Sequence, residues 1–279
     1  MLVNFNDILA TARREYSAVG SFNGYNYETF QGIISAGQEE RQPVILAFGE
    51  KYLRNMPLHT AFVLADSLAS QTEMPVCLHL DHCSDMTTVF QAIHEGFNSV
   101  MYDGSALRFE DNVKNTKAVC RVAQACGVSV EAELGSLAAG KCSHEGSSDD
   151  CAVYTDPKAA REFVAATEVN ALAVSIGTVH GLYQGRPKLR LDILKAICAQ
   201  TDVPLVLHGG SGLTEAEVSS CIRAGIAKIN VNTEISVYAI RKTTELLAKE
   251  QLHFSELSLN QSGYVKEIVK KYMAFFSRK

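Results

Sequence analysis

Three short apolar runs in this sequence lead into a histidine. Residues 76–83 read Val-Cys-Leu-His-Leu-Asp-His-Cys and finish on the pair Asp81-His82. Residues 171–177 lead into Thr-Val-His180-Gly181, and residues 204–207 lead into His208-Gly209-Gly210. A carboxylate or imidazole at the end of a buried strand is costly to desolvate without a partner or a metal. One such residue is ordinarily a hydrogen-bonded core or cap group; the same residue type at three strand ends points to one shared site. Three imidazoles that leave coordination positions open fit a catalytic zinc site better than a structural one. Such a metal polarises a carbonyl as a Lewis acid, and Asp81 is then placed for proton transfer. His94, His144 and His253 fall off the strands and carry no such signal. His79, two residues before Asp81 and on the same strand face, reads as a packed wall residue. Cys83 reads as small apolar filler.

A second constellation lies in His208-Gly-Gly-Ser-Gly212 and Lys228-Ile-Asn-Val-Asn-Thr-Glu234. Glycine-exposed backbone N–H groups beside a helix start make an anion site, so Gly209, Gly210, Ser211, Asn232 and Thr233 read as a phosphate cradle. A tight turn followed by a cap at Thr233 is the alternative for either loop alone. Gly181 lets the backbone approach the same anion.

The elements that must position these groups alternate short apolar runs with longer amphipathic stretches, as repeated βα units do. The runs are 18–22, 44–48, 76–80, 99–102, 129–132, 171–176, 205–207 and 228–231. Helical spacing covers 4–16, 28–41, 59–70, 86–96, 112–126, 157–167, 191–200 and 215–224, with 235–249 and 264–276 closing the chain. Eight strands, each followed by a helix, predict an α/β fold, a (β/α)₈ TIM barrel forming one domain over residues 1–279. A doubly wound open sheet is disfavoured, since no Gly-x-Gly-x-x-Gly follows the first strand. In the barrel, strand C-terminal ends share one mouth. Asn23, Asp81, His82, Asp103, Glu131, Glu133, His180, His208, Asn230 and Asn232 all fall at such ends. The longest unpatterned connection, 135–155, reads as a lid.

Composition narrows the function. The chain is 47% hydrophobic and 20% charged, with a formal charge of -5. That balance opposes nucleic acid as a partner, because phosphate backbones need basic stripes. No signal peptide or membrane span is expected. The 8 cysteines form no Cys-x-x-Cys pair and read as reduced thiols of a cytoplasmic enzyme.

In combination, the motifs resemble the class II, metal-dependent ketose-bisphosphate aldolases of the tagatose- and fructose-bisphosphate type. They are Phe22-Asn23, Asp81-His82, Tyr102-Asp103-Gly104-Ser105, Val130-Glu-Ala-Glu-Leu-Gly135, Gly177-Thr-Val-His-Gly181 and the two cradle segments. The resemblance implies that His82, His180 and His208 bind zinc, and that Asp81 exchanges the C4 hydroxyl proton. It implies a dihydroxyacetone phosphate site at Asn23, Gly181, Gly209, Gly210, Ser211, Asn230, Val231, Asn232 and Thr233. It further implies a monovalent cation (Na⁺ or K⁺) near the phosphate, a second metal near Asp103 and Glu133, and a homodimer or homotetramer.

Three features depart from the family pattern. The lid lacks a Gly-Gly-x-Glu-Asp-Asp run, leaving Glu145, ahead of Asp149 and Asp150, as the candidate for the proton on the dihydroxyacetone carbon. Gln184 stands where a phosphate-side lysine is usual, with Arg186 and Lys188 nearby. Residues 252–262 hold no Arg or Lys for a distal phosphate, which points toward ketose 1-phosphates or sugars with a less charged far end. A metal-dependent barrel hydrolase would show His-x-His on strand one, where Phe22-Asn23-Gly24 stands instead. A non-catalytic relative is opposed by the retained histidines and Asp81.

Overall fold

A computed structural model describes residues 1–143 and 153–277. The chain runs α1 (Phe5–Glu15), β1 (Val19–Asn23), α2 (Tyr27–Glu40), β2 (Val44–Gly49), a 3₁₀ turn (Glu50–Arg54), α3 (Leu58–Ala69), β3 (Val76–Cys83), α4 (Met86–Glu95), β4 (Ser99–Tyr102), α5 (Phe109–Ala125) and β5 (Ser129–Leu134). It continues through β6 (Ala138–Ala139), α6 (Pro157–Thr167), β7 (Ala171–Val174), β8 (Val179–His180), α7 (Leu191–Cys198), β9 (Leu205–Leu207), α8 (Glu215–Arg223), β10 (Ile226–Val231), α9 (Thr233–Leu247) and α10 (Phe254–Phe276). Parallel pairing in the order β1-β10-β9-β7-β5-β4-β3-β2 closes an eight-stranded barrel. β6 and β8 form a separate two-stranded sheet.

Sequence and structure agree on why these elements form. Asn4 caps α1 by accepting from the Asn6 N–H, Asp85 caps α4, and Asn26 and Thr214 form reciprocal capping boxes for α2 and α8. The apolar face of α1 (Phe5, Ile8, Leu9, Ala12) plugs the bottom of the barrel against inward-facing Val19, Ile45, Cys77, Ala171, Ala173, Val206 and Ala227. Outward-facing strand residues meet the helical ring in the larger core, which includes Phe22, Leu46, Leu78, Val100, Ile229 and Val231.

Above the plug the barrel interior is polar. Ser21, His79, Ser99, Glu131 and Lys228 are all buried there. His79 is therefore not apolar wall packing. Its Nδ1 lies 2.8 Å from Ser99 Oγ and its ring stacks on Phe5 at 5.9 Å. Burial, then the charge of Lys228, pushes its pKa down to about 3. Several element edges differ from the expected ones, three of them with consequences. β3 runs on through Cys83, the sixth barrel strand stops at Val174, and α10 begins at Phe254. The opening turns of α10 carry exposed Phe254 and Leu259, so no buried stripe marks their helical period.

Candidate active site

The site begins with an irregularity in β3. Its pairing with β4 shifts register between Leu80 and Cys83, and His82 takes a left-handed backbone with φ 45°. Consecutive strand residues normally face opposite sides of a sheet. The shift lets Asp81 and His82 both face the mouth, at the strain cost of a non-glycine residue in that region. His208 follows β9 directly. His180 does not end a barrel strand, as the sequence suggested. It sits on β8, beyond the end of β7, paired across the small sheet with Ala139.

The three imidazoles converge. Ring centroids are 4.4 Å apart for His82 and His208, 4.9 Å for His82 and His180, and 6.1 Å for His180 and His208. One nitrogen from each lies within 4.8 Å of the others. Carboxylates surround His82 and His208. His82 Nδ1 donates to Asp103 Oδ2 at 2.8 Å, while Asp103 Oδ1 accepts from Ser105 N and Oγ at 3.1 and 2.6 Å. His208 Nε2 donates to Glu131 Oε1 at 2.9 Å, and Lys228 Nζ donates to Glu131 Oε2 at 2.7 Å. Second carboxylate partners of this kind orient metal-binding histidines.

The charges follow that geometry. Burial opposes ionisation of Asp103, but the hydrogen bond and charge of His82 outweigh it and hold the carboxyl well below its usual range. Burial likewise opposes ionisation of Glu131, and Lys228, then His208, reverse the balance. Burial and the charge of His82 work against protonation of His208, yet the hydrogen bond to Glu131 and the nearby carboxylate of Glu133 raise it to about 9.

Buried atoms here that make no hydrogen bond include His208 Nδ1 and Glu133 Oε2, although they lie 3.1 Å apart. Orphaned polar atoms are expensive in a protein interior. A three-nitrogen donor set beside a buried carboxylate fits a divalent ion. His82, Asp103 and Glu133 form a second group with ligand atoms within 4.8 Å of one another. Cys83 belongs to neither group. Its thiol faces the Asp85 carbonyl at 3.4 Å, and burial pushes its pKa up.

Asp81 is 1% exposed and sits between two amides. Asn23 Nδ2 donates to Oδ2 at 2.8 Å and Asn230 Nδ2 donates to Oδ1 at 3.0 Å. Beside it is a cavity of ≈ 20 Å³ lined by Asn23, His82, His180, Gly181, His208, Gly209, Ser211, Asn230, Asn232 and Thr233. A larger hollow of ≈ 480 Å³ opens outside the mouth, shares Asn232 with that cavity, and is walled by Tyr25, Tyr52 and Arg54. The three histidines line the smaller one.

The cradle needs its glycines. Gly209 has φ 71°, and a Cβ there would meet the Val179 carbonyl oxygen at 2.2 Å. Gly210 and Val231 do not line the cavity. The Gly210 N–H is bonded to the Asn230 carbonyl at 2.9 Å, and Val231 packs in the outer core. Thr233 is not the cap of α9. Asn232 holds that place, and its side chain donates to the Tyr52 hydroxyl at 2.9 Å instead of capping. Ser211 Oγ accepts from Asn232 N and Glu234 N at 3.3 Å each.

Two supports escaped the sequence reading. The Tyr183 hydroxyl donates to the Gly209 carbonyl at 2.7 Å, and Tyr272 of α10 reaches the Gly212 N–H at 2.9 Å. Nothing in local spacing marks Tyr272, which arrives from the far end of the chain. Arg186 and Lys188 are exposed and line neither hollow. Glu145, Asp149 and Asp150 lie outside the described residues.

The profile of the family described as "Fructose-bisphosphate aldolase class-II" matches residues 3–279. A "Sulfofructosephosphate aldolase" of Alkalicoccus urumqiensis is 39% identical over 236 residues, 82% of this chain and 80% of that protein. A "Fructose-bisphosphate aldolase" of Staphylococcus aureus (strain Mu50 / ATCC 700699) is 39% identical over 257 residues, 90% of this chain and 87% of that protein. The crystal structure of the YdjI aldolase from Escherichia coli K12 superposes with a TM-score of 0.89 at 34% identity, covering 99% of this chain and 98% of that one. Fold and site together define a (β/α)₈-barrel lyase whose mouth carries a candidate metal-binding group. The chain belongs to the class-II fructose-bisphosphate aldolase family. Its chemistry is aldol cleavage of a ketose phosphate. Among the described residues, no helix is long and apolar enough to cross a membrane.

Proposed function

We propose that this enzyme reversibly cleaves a ketose (bis)phosphate, such as tagatose- or fructose-1,6-bisphosphate, to dihydroxyacetone phosphate and an aldehyde. The observation that carries the reading is the convergence of His82, His180 and His208 beside Asp81. Zinc held by the three histidines would polarise the substrate carbonyl and stabilise the negative charge that develops as the C3–C4 bond breaks.

The chain's own residues do the rest. Asp81, oriented by Asn23 and Asn230, takes the C4 hydroxyl proton as the aldehyde forms. The substrate phosphate sits on Gly181, Gly209 and Ser211, facing the start of α9 at Asn232 and Thr233, where helix-terminal N–H groups favour an anion. The electron pair left on C3 takes a proton from a lid carboxylate, assigned to Glu145. A Na⁺ or K⁺ ion near the phosphate would balance its charge, and Asp103 and Glu133 would serve a second metal position or steady the first.

A ketose 1-phosphate is the second reading, favoured by the absence of Arg and Lys from residues 252–262. Arg108 lies on the exposed surface beside Glu110 at 3.9 Å, while Arg54 borders the larger hollow. The decisive experiment is a cleavage screen over ketose mono- and bisphosphates on zinc-loaded protein. Activity on neither class overturns the aldolase reading. A bisphosphate preference in kcat/KM of about a hundredfold, about 2.7 kcal/mol, overturns the 1-phosphate reading. A homodimer or homotetramer is supported by exposed Ile240, Phe254 and Leu259 on α9 and α10, and light scattering tests it. Every described cysteine is a free thiol, which supports a reducing cytoplasmic setting.

A further inference from the structure

The loop Gly209–Gly212 has little of its own to hold it in place. Of its four residues only Ser211 carries a side chain, and Gly209 and Gly212 take left-handed backbones with φ 71° and 85°. Glycine loses more conformational freedom on ordering than any other residue, and a binding loop that is ordered in advance binds more tightly than one ordered by its ligand. The loop is pinned instead by side chains from elsewhere. The Tyr183 hydroxyl donates to the Gly209 carbonyl at one end. At the other end the Gly212 N–H is shared between Glu234 Oε2 and the Tyr272 hydroxyl oxygen, each at 2.9 Å. The Tyr272 hydroxyl donates in turn to Glu234 Oε2, closing a triangle, and Lys271 Nζ donates to Glu234 Oε1 at 3.1 Å.

That triangle joins three separate pieces of the chain. Glu234 lies in the first turn of α9, Tyr272 lies near the end of α10, and Gly212 ends the loop. The Tyr272 ring is 1% exposed and packs on Phe275 and Phe276 at 5.8 and 6.0 Å. Its hydroxyl is therefore delivered from a fixed support. Burial, then the bond to Glu234, pushes the Tyr272 pKa up, so the hydroxyl keeps the proton it donates. A carboxylate beside an anion cradle repels the anion, which calls for another role for Glu234, and Lys271 offsets its charge.

We propose that Tyr272 and Glu234 are positioning residues for the substrate phosphate: they lock the Gly209–Gly212 loop against the start of α9 before the substrate arrives. The inference rests on the phosphate-cradle reading above and extends its support to the last helix of the chain. Neither side chain lines the small cavity, so both act through the loop and touch no substrate.

The test uses the full-length protein with Tyr272→Phe, which keeps the packed ring and removes one oxygen. Binding of inorganic phosphate is read by ³¹P NMR titration, kcat and KM are read on the ketose phosphate the parent cleaves best, and Tm is read in parallel. The expected result is about 5–50-fold weaker phosphate binding, a KM raised in step, and kcat within about twofold of the parent. Unchanged phosphate binding in the folded variant overturns the proposal, whatever the shift in Tm, because a merely structural contact predicts that outcome. A second pair of variants covers the case in which Tyr272→Phe fails to fold. Glu234→Gln keeps an acceptor for the Gly212 N–H and Glu234→Ala removes it, while both remove the charge. Tighter phosphate binding by Glu234→Gln than by Glu234→Ala is expected, and equal binding overturns the proposal. Failure of the parent to bind phosphate overturns the cradle reading itself, a result distinct from either of these.

Discussion

Replacing Asp81 by Asn separates proton transfer from metal binding, and the structure fixes the expected size of each effect. The carboxylate accepts one amide hydrogen bond on each oxygen, from Asn23 and Asn230. Asparagine keeps one acceptor and turns an NH₂ group toward the other donor. Asn230 Oδ1 has no hydrogen-bond partner, so a half-turn of the Asn230 amide restores an N–H···O contact. The structural loss is then the difference between charge-assisted and neutral bonds, about 1–2 kcal/mol. That corresponds to a Tm lower by only a few degrees, about 2–4 °C per kcal/mol. The amide cannot accept the C4 hydroxyl proton, so kcat for cleavage should fall about 10²–10⁴-fold, or about 2.7–5.5 kcal/mol in barrier. The assay couples triose phosphate release to a reductase, with elemental zinc analysis on the same sample. Exchange of the dihydroxyacetone phosphate α-proton with deuterated solvent should survive in Asp81→Asn and fail in Glu145→Ala. Cleavage by Asp81→Asn within tenfold of the parent at full zinc refutes the proton role. Zinc loss in step with activity loss would instead make Asp81 a support for the metal.

Further outcomes follow from the same geometry. His82→Ala, His180→Ala and His208→Ala should each lose zinc and cleavage together, and stoichiometric zinc in any one removes that residue from the site. Chelation should stop cleavage while circular dichroism stays native, because the βα core does not need the ion to fold. Gly209→Ala places a Cβ 2.2 Å from the Val179 carbonyl oxygen at φ 71°. It should raise KM for the phosphorylated substrate and cost about 1–3 kcal/mol of stability, and an unchanged KM would clear that loop of a binding role. His79 is held neutral in the fold down to about pH 3 against an ordinary value of 6.5. The unfolded chain therefore gains a proton first, and stability should fall as pH drops through that window, by up to about 1.4 kcal/mol per pH unit. Urea titrations of His79→Gln should show a slope smaller by one proton, and an identical slope would discount the residue.

Much of this arrangement was legible because its signals are local. Short apolar runs marked all eight barrel strands, and residue types foreign to a buried strand marked the mouth. What escaped was set by non-local pairing. His180 looked like a strand end because Ser175 and Ile176 continue the apolar run of β7. In the structure β7 stops at Val174, and β8 pairs with β6 in a stretch whose composition looked like loop. His79 looked like filler because its partners, Ser99 and Glu131, come from other strands. Lys228 offered a signal that went unread. A lysine two residues before Asn230 faces the barrel interior by alternation, and an ammonium there requires a carboxylate. The reach of Tyr272 to Gly212 had no local signature at all.

The buried pair also dictates an order of events in folding. Glu131 on β5 and Lys228 on β10 are 97 residues apart in the chain. Until β10 arrives, a growing sheet carries a carboxylate on its inner face with no counter-charge, and that face must stay hydrated. Dry packing of the centre is then coupled to closure of the ring between β1 and β10, the last strand to arrive. Non-local pairing of this kind is slow and cooperative. A nascent chain or fragment ending before Ile226, with seven of the eight barrel strands, therefore holds an open, hydrated sheet, and the enzyme acquires its dry interior in a single late step.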